Sequence, residues 1–359
     1  MTSLLSILVL CGGQSTEHDI SLLSAKNVIE RLDPQKYKVS VVKISQEGAW
    51  YYFENTADYF CRTHSHLMHI IPGQKNPFVV NGWEVPVDCV FPVLHGTNGE
   101  DGTLQGLLQL LNVPFVGADC LGSAIGMDKE VLKRLLEAAG LPVVPRILLH
   151  HTQRDAISYE QITKTLGDVV FVKPNSLGSA VGIKKAVDKA SFFDAMATAF
   201  AYDEYILVEK AIVGREIECS VLGNENPRVS LPGEIINHSD FYSYDAKYLD
   251  AEAATVQTPA ALSPELTQQF QAMAIKAYKT LRCLGMTRVD FFLDHSGNIY
   301  LNEINTIPGF TDISMYPKNW EVSGLSYSAL LDELIELGME RFQTTKTLNR
   351  VFKVATVNA

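Results

Sequence analysis

A chain of 359 residues, 47% hydrophobic and 20% charged, is too long for one ordinary core and predicts two or three domains of a soluble globular protein. Its net charge of −11 argues against nucleic acid as the main partner, and no apolar run is long enough to cross a bilayer. The six cysteines are scattered with no Cys-x-x-Cys pair, which argues against a disulfide framework or zinc site and predicts reduced thiols in a cytoplasmic protein.

In chain order, residues 4–11 read as a buried strand, because the run is short, has no basic residue ahead of it and ends in Gly12-Gly13, unlike a signal peptide. The turn Gly12-Gly13-Gln14-Ser15-Thr16-Glu17-His18-Asp19 leads into a helix at 20–32. It lacks the Gly-x-Gly-x-x-Gly of a dinucleotide fingerprint, and Glu17 would repel a pyrophosphate while attracting a substrate ammonium. Glu17 and Asp19 equally suit simple capping of the helix N-terminus. A strand at 37–44 precedes an aromatic- and His-rich insertion at 46–86 with little pattern. Within it, His64, His66 and His69 have no acid or cysteine at a ligand spacing and read as loop. The strand at 87–94 ends in His95-Gly96-Thr97-Asn98-Gly99-Glu100-Asp101-Gly102-Thr103. Ligands of doubly wound sheets sit at strand carboxyl ends, which places His95 well, although a loop histidine also serves as a structural hydrogen-bonder. A helix at 104–111 and a short strand at 114–116 complete an N-terminal doubly wound parallel sheet of α/β class.

Around Met127 the organisation changes, with a helix at 129–139 closed by Gly140 and prolines at 142 and 145 beyond it. A smaller α+β unit is expected from there to Leu222, with strands at 169–173, 205–209 and 216–222 and a helix at 189–201. Lys173 precedes the small-residue loop Asn175-Ser176-Leu177-Gly178-Ser179-Ala180-Val181-Gly182. Such a loop exposes backbone N–H groups that can cradle phosphate while a lysine neutralises it, but the Walker A spacing is missing and an ordinary turn reads the same way. Glu209, Lys210, Ile212 and Glu216 could line a purine base and its ribose, or be paired charges at an exposed strand end. Residues 237–261 form a long loop carrying Tyr242, Tyr244, Lys247 and Tyr248, suited to a lid that adds a cation to phosphates, or to a surface loop. Ser263, ahead of Pro264 and Glu265, opens a helix to about Cys283, and a last helix is expected near 327–341.

Between those two helices, apolar runs at 289–293 and 299–301 flank Asp294-His295-Ser296-Gly297 and predict a hairpin. Glu303 and Asn305, two apart, share a face, and the turn can bring Asp290 opposite them. Two carboxylates and an amide oxygen suit Mg²⁺ that also holds nucleotide phosphates, with Arg288 beside them as a permanent cation. A solvated acidic hairpin is the plainer alternative.

Together these segments resemble the ATP-grasp superfamily and, within it, the D-alanine–D-alanine ligase family. The resemblance rests on Gly-Gly-x-Ser-x-Glu-His-Asp-Ile-Ser-Leu at 12–22, His-Gly-x-x-Gly-Glu-Asp-Gly-Thr-Leu-Gln-Gly at 95–106 and Met-Asp-Lys at 127–129. It continues through Val-Lys-Pro at 172–174, Gly-Ser-Ala-Val-Gly-Ile at 178–183, Phe-Tyr-x-Tyr-x-x-Lys-Tyr at 241–248, Arg-Val-Asp at 288–290 and Asn-Glu-Ile-Asn-Thr-Ile-Pro-Gly-Phe-Thr at 302–311. Each motif is weak alone, but their shared order spans nearly the whole chain.

The resemblance implies a pre-ATP-grasp domain at 1–126, a central ATP-grasp subdomain at 127–222, and a C-terminal subdomain at 223–359 carrying the lid and the hairpin. It implies ATP as substrate, two Mg²⁺ (or Mn²⁺), two D-alanine sites and a homodimer. Lys129, Lys173 and Lys247 would meet ATP phosphates, and Glu209, Lys210, Ile212 and Glu216 would surround adenosine. Asp290, Glu303 and Asn305 would ligate metal, while Glu17, linked to Ser179 and Tyr248, would bind the first D-alanine's ammonium. His95 would sit near that substrate, Arg288 and the Gly309 N–H would form the oxyanion hole, and Ser314 would meet the second substrate's carboxylate. Ala180 stands where many members have a second serine, and Tyr248 is the residue of dipeptide-forming members where depsipeptide-forming relatives carry histidine. The rival readings are another ATP-grasp carboxylate–amine ligase, including a D-alanine–D-lactate ligase, a nucleotide-binding regulator without catalysis, and a nicotinamide dehydrogenase.

Overall fold

The computed structural model describes residues 4–237 and 254–349. β1 (Leu5–Gly12) is apolar without interruption from Ile7 to Cys11 because it is covered on both faces, as central parallel strands are. It lies between β2 (Tyr37–Ile44) and β7 (Cys89–Pro92), parallel to both, and α1 (His18–Arg31) connects it to β2. The insertion at 46–86 is ordered structure, not loose loop. β3 (Trp50–Phe53), β4 (His66–Ile70), β5 (Phe78–Val80) and β6 (Trp83–Glu84) extend the sheet by antiparallel pairing in the order β6-β5-β4-β3-β2-β1-β7. The parallel part of this sheet is therefore confined to β2-β1-β7, and the strand expected at 114–116 is a single bridge from Phe115 to Val90. The added strands are too short for a two-residue period to register. In the insertion, α2 (Thr56–Cys61) presents Asp58 to His64 at 3.0 Å, while His66 faces Asn81 at 3.2 Å.

α3 (Thr103–Leu110) and α4 (Cys120–Met127) lead to α5 (Lys129–Ala138), whose first turn is capped by Asp128 accepting from Val131 N at 2.9 Å. The second sheet, antiparallel throughout, orders β10 (Lys184–Ala186), β9 (Val170–Pro174), β11 (Tyr205–Lys210) and β8 (Arg146–His150) side by side. α6 (Tyr159–Leu166) and α7 (Lys189–Ala199) bury Ile162, Leu166, Phe192 and Met196 with Val170, Val172, Ile206 and Val208 of those strands.

The third sheet runs β15 (Ala254–Gln257), β14 (Gly233–Asn237), β12 (Gly214–Gly223), β16 (Gly285–Asp294), β17 (Ile299–Asn305), with β13 (Arg228–Val229) on β12. β12 holds the strand expected at 216–222, and it pairs with β14 and β16 of this sheet rather than with the strands of the second one. Part of the expected loop at 237–261 is strand β15; Lys247 and Tyr248 lie outside the described residues. One face of β12, β16 and β17 supplies Ile217, Cys219, Val221, Val289, Phe291 and Ile304 to a core closed by Phe270, Ala274 and Tyr278 of α8 (Pro264–Thr280). Alternation then turns Glu218, Arg288, Asp290, Glu303 and Asn305 to the opposite face. α9 (Met315–Val322) and α10 (Tyr327–Lys346) follow, and α10 buries Leu330, Leu331 and Leu334 with Ile7, Val9 and Phe91 of the first sheet, fastening the C-terminal unit to the N-terminal one.

Candidate active site

The predicted hairpin forms, and its register puts the polar residues together: Asp290 pairs with Glu303 and Arg288 with Asn305 across the strands. A bulge falls just after Asp290, where the register passes from Asp290–Glu303 to Phe291–Leu301. Arg288 donates to both Asp290 oxygens at 2.7 Å and lies 2.9 Å from Glu218 on the neighbouring strand β12. Burial works against its charge, but Asp290 and Glu218 outweigh burial and hold the guanidinium protonated far above its ordinary range. Asn305 Nδ2 donates to Asp290 at 2.9 Å, which leaves its amide oxygen as an acceptor. Two carboxylates and an amide oxygen on facing strands are a hard-oxygen donor set that fits Mg²⁺ or Mn²⁺.

Cations of the central unit close in on this face. Lys129, 5% exposed at the start of α5, donates to Leu177 O at 2.5 Å and lies 3.6 Å from Glu303. Lys173, at the end of β9, donates to Asn302 Oδ1 at 3.3 Å. Lys173 also pairs at 2.7 Å with one oxygen of Glu209, whose other oxygen meets Lys133 at 2.7 Å. Burial opposes ionisation of Glu209, but the two ammonium groups prevail and hold its carboxyl below the usual range; Lys133, fully buried, is pushed down to about 8 by burial against the pull of Glu209. Glu209 therefore spends both oxygens on lysines here, whereas Lys210 is exposed and Ile212 and Glu216 are half-buried nearby in sequence.

The N-terminal unit brings Glu17 to the loop that follows Lys173. Ser179, held at φ +52°, donates its hydroxyl to Glu17 Oε1. Glu17 is 4% exposed and stands at the N-cap of α1 without a side-chain cap hydrogen bond, while Asp19 lies in the helix's first turn. His95 Nδ1 lies 3.0 Å from Ile307 O, an acceptor only, so that nitrogen carries the proton. Ser24 Oγ lies 3.1 Å from Nε2 and also accepts from Phe310 N at 3.2 Å. These contacts engage both nitrogens of the ring in tying the N-terminal loop to the segment containing Gly309, the structural hydrogen-bonding that a loop histidine also serves. A side chain at Gly309 would put its Cβ 2.7 Å from Ser314 Oγ. Ser314 precedes the first turn of α9 without capping it, and its hydroxyl accepts from Thr311 N at 2.9 Å. A helix start beside a hydroxyl and a bare glycine suits a carboxylate.

A groove lined by Glu100, Gly126, Met127, Lys129, Gly178, Glu303, Ile304, Asn305 and Thr306 runs between the three units. Sequence reading did not single out Glu100, Lys133 or Glu218. Their burial becomes visible only once the strands and helices are placed.

Two family models match the chain, one described as D-ala D-ala ligase N-terminus over residues 6–118 and one as D-ala D-ala ligase C-terminus over residues 135–336. A D-alanine–D-alanine ligase of Coxiella burnetii is 47% identical over 371 residues, spanning 99% of each chain. D-alanine–D-alanine ligase A of Escherichia coli is 45% identical, covering 95% of this chain and 97% of that one. The solved structure of the D-alanine–D-alanine ligase from Coxiella burnetii superposes with a TM-score of 0.85 at 43% identity, over 95% of this chain and 97% of that one. VanG D-Ala:D-Ser ligase from Enterococcus faecalis gives the same TM-score of 0.85 at 36% identity, over 94% of this chain and all of that one. With three sheets meeting at a cationic, carboxylate-lined groove and relatives matched over nearly their full lengths, the chain belongs to the D-alanine–D-alanine ligase family.

Proposed function

We propose that the chain joins two D-alanines to D-alanyl-D-alanine with consumption of ATP, as a step in making peptidoglycan precursors. The observation that carries this reading is that Lys129, Glu303 and Asn305 line one groove, with Glu17 and Ser179 beside its Gly178, Lys173 on Asn302, and Arg288 and Asp290 paired across the strands with Asn305 and Glu303. A carboxylate is a poor acyl donor because oxide would have to leave. Transfer of the γ-phosphoryl group from ATP to the first D-alanine gives D-alanyl phosphate and ADP. Glu17 holds the ammonium of that substrate, and Ser179 fixes the Glu17 rotamer. Lys129 and Lys173 offset the charge of the phosphates, and Mg²⁺ (two ions, or Mn²⁺), held by Asp290, Glu303 and Asn305, would supply Lewis-acid screening of the phosphoryl oxygens. The second D-alanine, its carboxylate at Ser314 and the α9 start, attacks through its amine after losing a proton. Arg288 and the Gly309 N–H stabilise the tetrahedral oxyanion, and phosphate leaves.

Glu209, Lys210, Ile212 and Glu216 are assigned to adenosine from the family resemblance; Glu209 also pairs with Lys133 and Lys173. Lys247 and Tyr248, in the segment outside the described residues, complete the lid in this proposal. Among the described residues no helix is long and apolar enough to cross a membrane, in keeping with a cytoplasmic site of action, and a homodimer is the proposed assembly. ADP formation measured with D-alanine and with L-alanine tests the reading: D-alanine-dependent ADP is expected. Activity with another acid–amine pair and none with D-alanine would replace the substrate assignment.

A further inference from the structure

Away from the groove, three metal-ligating side chains meet at the edge of the second sheet: His150, His151 and Glu204. Their donor atoms all lie within 4.8 Å of one another, and none of the three lines the groove. The strand register brings them together. β8 ends at His150, which pairs with Tyr205 of β11, and one residue on His151 N donates to Glu204 O at 2.9 Å. Successive side chains of a strand point to opposite faces, but the chain leaves β8 in a 3₁₀ turn over His151–Ala156. The two imidazoles therefore lie side by side, with ring centroids 4.2 Å apart. His150 is already held in place, since Thr152 Oγ1 lies 2.8 Å from its Nδ1 and the Tyr205 ring 4.7 Å from its own. Glu204 is exposed and forms no ion pair among the described residues. Its neighbour Asp203, by contrast, spends its oxygens on Ser176 N at 2.8 Å and Tyr205 N at 3.0 Å.

Zn²⁺ takes imidazole nitrogen and carboxylate oxygen at about 2.0–2.1 Å in a tetrahedron, which sets the donors about 3.4 Å apart. His151 and Glu204 are both exposed, so small side-chain rotations close the trio from its present spacing. Water would fill the fourth position. Two nitrogens and one carboxylate suit Zn²⁺ rather than Mg²⁺, which prefers oxygen-only sets such as Asp290, Glu303 and Asn305. The turn at 202–205 also supports the glycine-rich loop. Tyr205 O accepts from Asn175 N at 3.0 Å, Asp203 accepts from Ser176 N, and a Cβ at Gly182 would stand 2.9 Å from the Tyr202 ring.

We propose that His150, His151 and Glu204 form a Zn²⁺ site, and that the bound ion fastens the turn at 202–205 on which the loop carrying Ser179 rests. The site is separate in place and in donor chemistry from the carboxylate face of the groove.

Calorimetric titration of the whole protein with Zn²⁺, at saturating Mg²⁺, tests this. An equivalent of Zn²⁺ bound by wild type should be lost, or held about tenfold or more weakly, in His151→Ala and in Glu204→Gln. Both residues are exposed, and should one variant fail to fold the other decides. Co²⁺ in place of Zn²⁺ should give the visible absorption of a tetrahedral nitrogen–oxygen site in wild type and not in the variants. Zn²⁺ should also slow hydrogen exchange at Asn175 N and Ser176 N in wild type alone. Equal Zn²⁺ stoichiometry and affinity in wild type and both variants would overturn the site, as would failure of wild type to take up Zn²⁺. Uptake lost in the variants, with exchange at Asn175 and Ser176 unmoved by Zn²⁺ in wild type, would overturn the fastening of the loop.

Discussion

Arg288→Ala removes the bidentate donation to Asp290 and the 2.9 Å pair with Glu218 in one step. The Glu218 and Asp290 side chains left behind are only 6% and 10% exposed, so neither is rescued by water. Stranding a buried charge costs about 3–5 kcal/mol, and the structure places the two carboxylates directly opposite each other on β12 and β16. The variant should therefore unfold at clearly lower urea concentration, by roughly that free energy. Turnover should drop further than stability accounts for, since an oxyanion donor is worth about 10²–10³ in rate. Arg288→Lys separates the two effects: it restores a cation between the carboxylates but not the planar fork. It should recover most of the lost stability while turnover stays at least about tenfold low. Urea midpoints and phosphate release, measured on the folded variants, give both quantities. An Arg288→Ala midpoint equal to wild type would refute the buried network, and wild-type turnover in Arg288→Lys would refute the role of the fork.

Glu209→Gln leaves Lys133 and Lys173 with a neutral partner in a closed site, and should lower the urea midpoint and weaken ATP binding together; an unchanged midpoint would contradict the lysine clamp. In Gly309→Ala the new Cβ falls 2.7 Å from Ser314 Oγ, so the weaker D-alanine KM should rise while ATP binding holds, and an unaltered D-alanine profile would remove Ser314 from the site. Glu17→Gln should raise the requirement for the first D-alanine, seen as a higher KM at the tighter site, and ATP titration should be unaffected. Chelation of divalent metal should abolish phosphate release, with recovery on adding Mg²⁺ or Mn²⁺ but not Na⁺; activity surviving the chelator would sink the assignment of Asp290, Glu303 and Asn305.

The hairpin was legible in the sequence because two apolar runs flank a polar turn, and Glu303 and Asn305, two apart, share a face, although the bulge after Asp290 was not. β1 was legible for a different reason: burial on both faces leaves an uninterrupted apolar run. Ser263 announced α8, and its hydroxyl does accept from Leu266 N, at 3.3 Å. The four short strands of the insertion were not legible, since pairs such as Trp83–Glu84 are held by neighbours rather than by their own pattern. β12 was read as a strand but assigned to the wrong sheet, because strand partners are a tertiary choice that local residues do not encode. Glu100, Lys133 and Glu218 were overlooked for the same reason. A buried charge differs from a surface charge only through what lies across from it, here Glu17, Glu209 and Arg288.

The most direct test of the central claim, that the first D-alanine is activated as an acyl phosphate, is the fate of its carboxylate oxygen. The protein would be given D-alanine labelled with ¹⁸O in its carboxylate, with ATP and Mg²⁺, and the released phosphate and the product weighed by mass spectrometry. The account predicts D-alanyl-D-alanine as product with one labelled oxygen in each phosphate released. Unlabelled phosphate alongside the dipeptide would mean that the carboxylate never attacked the γ-phosphorus, and the mechanism built on this groove would fall.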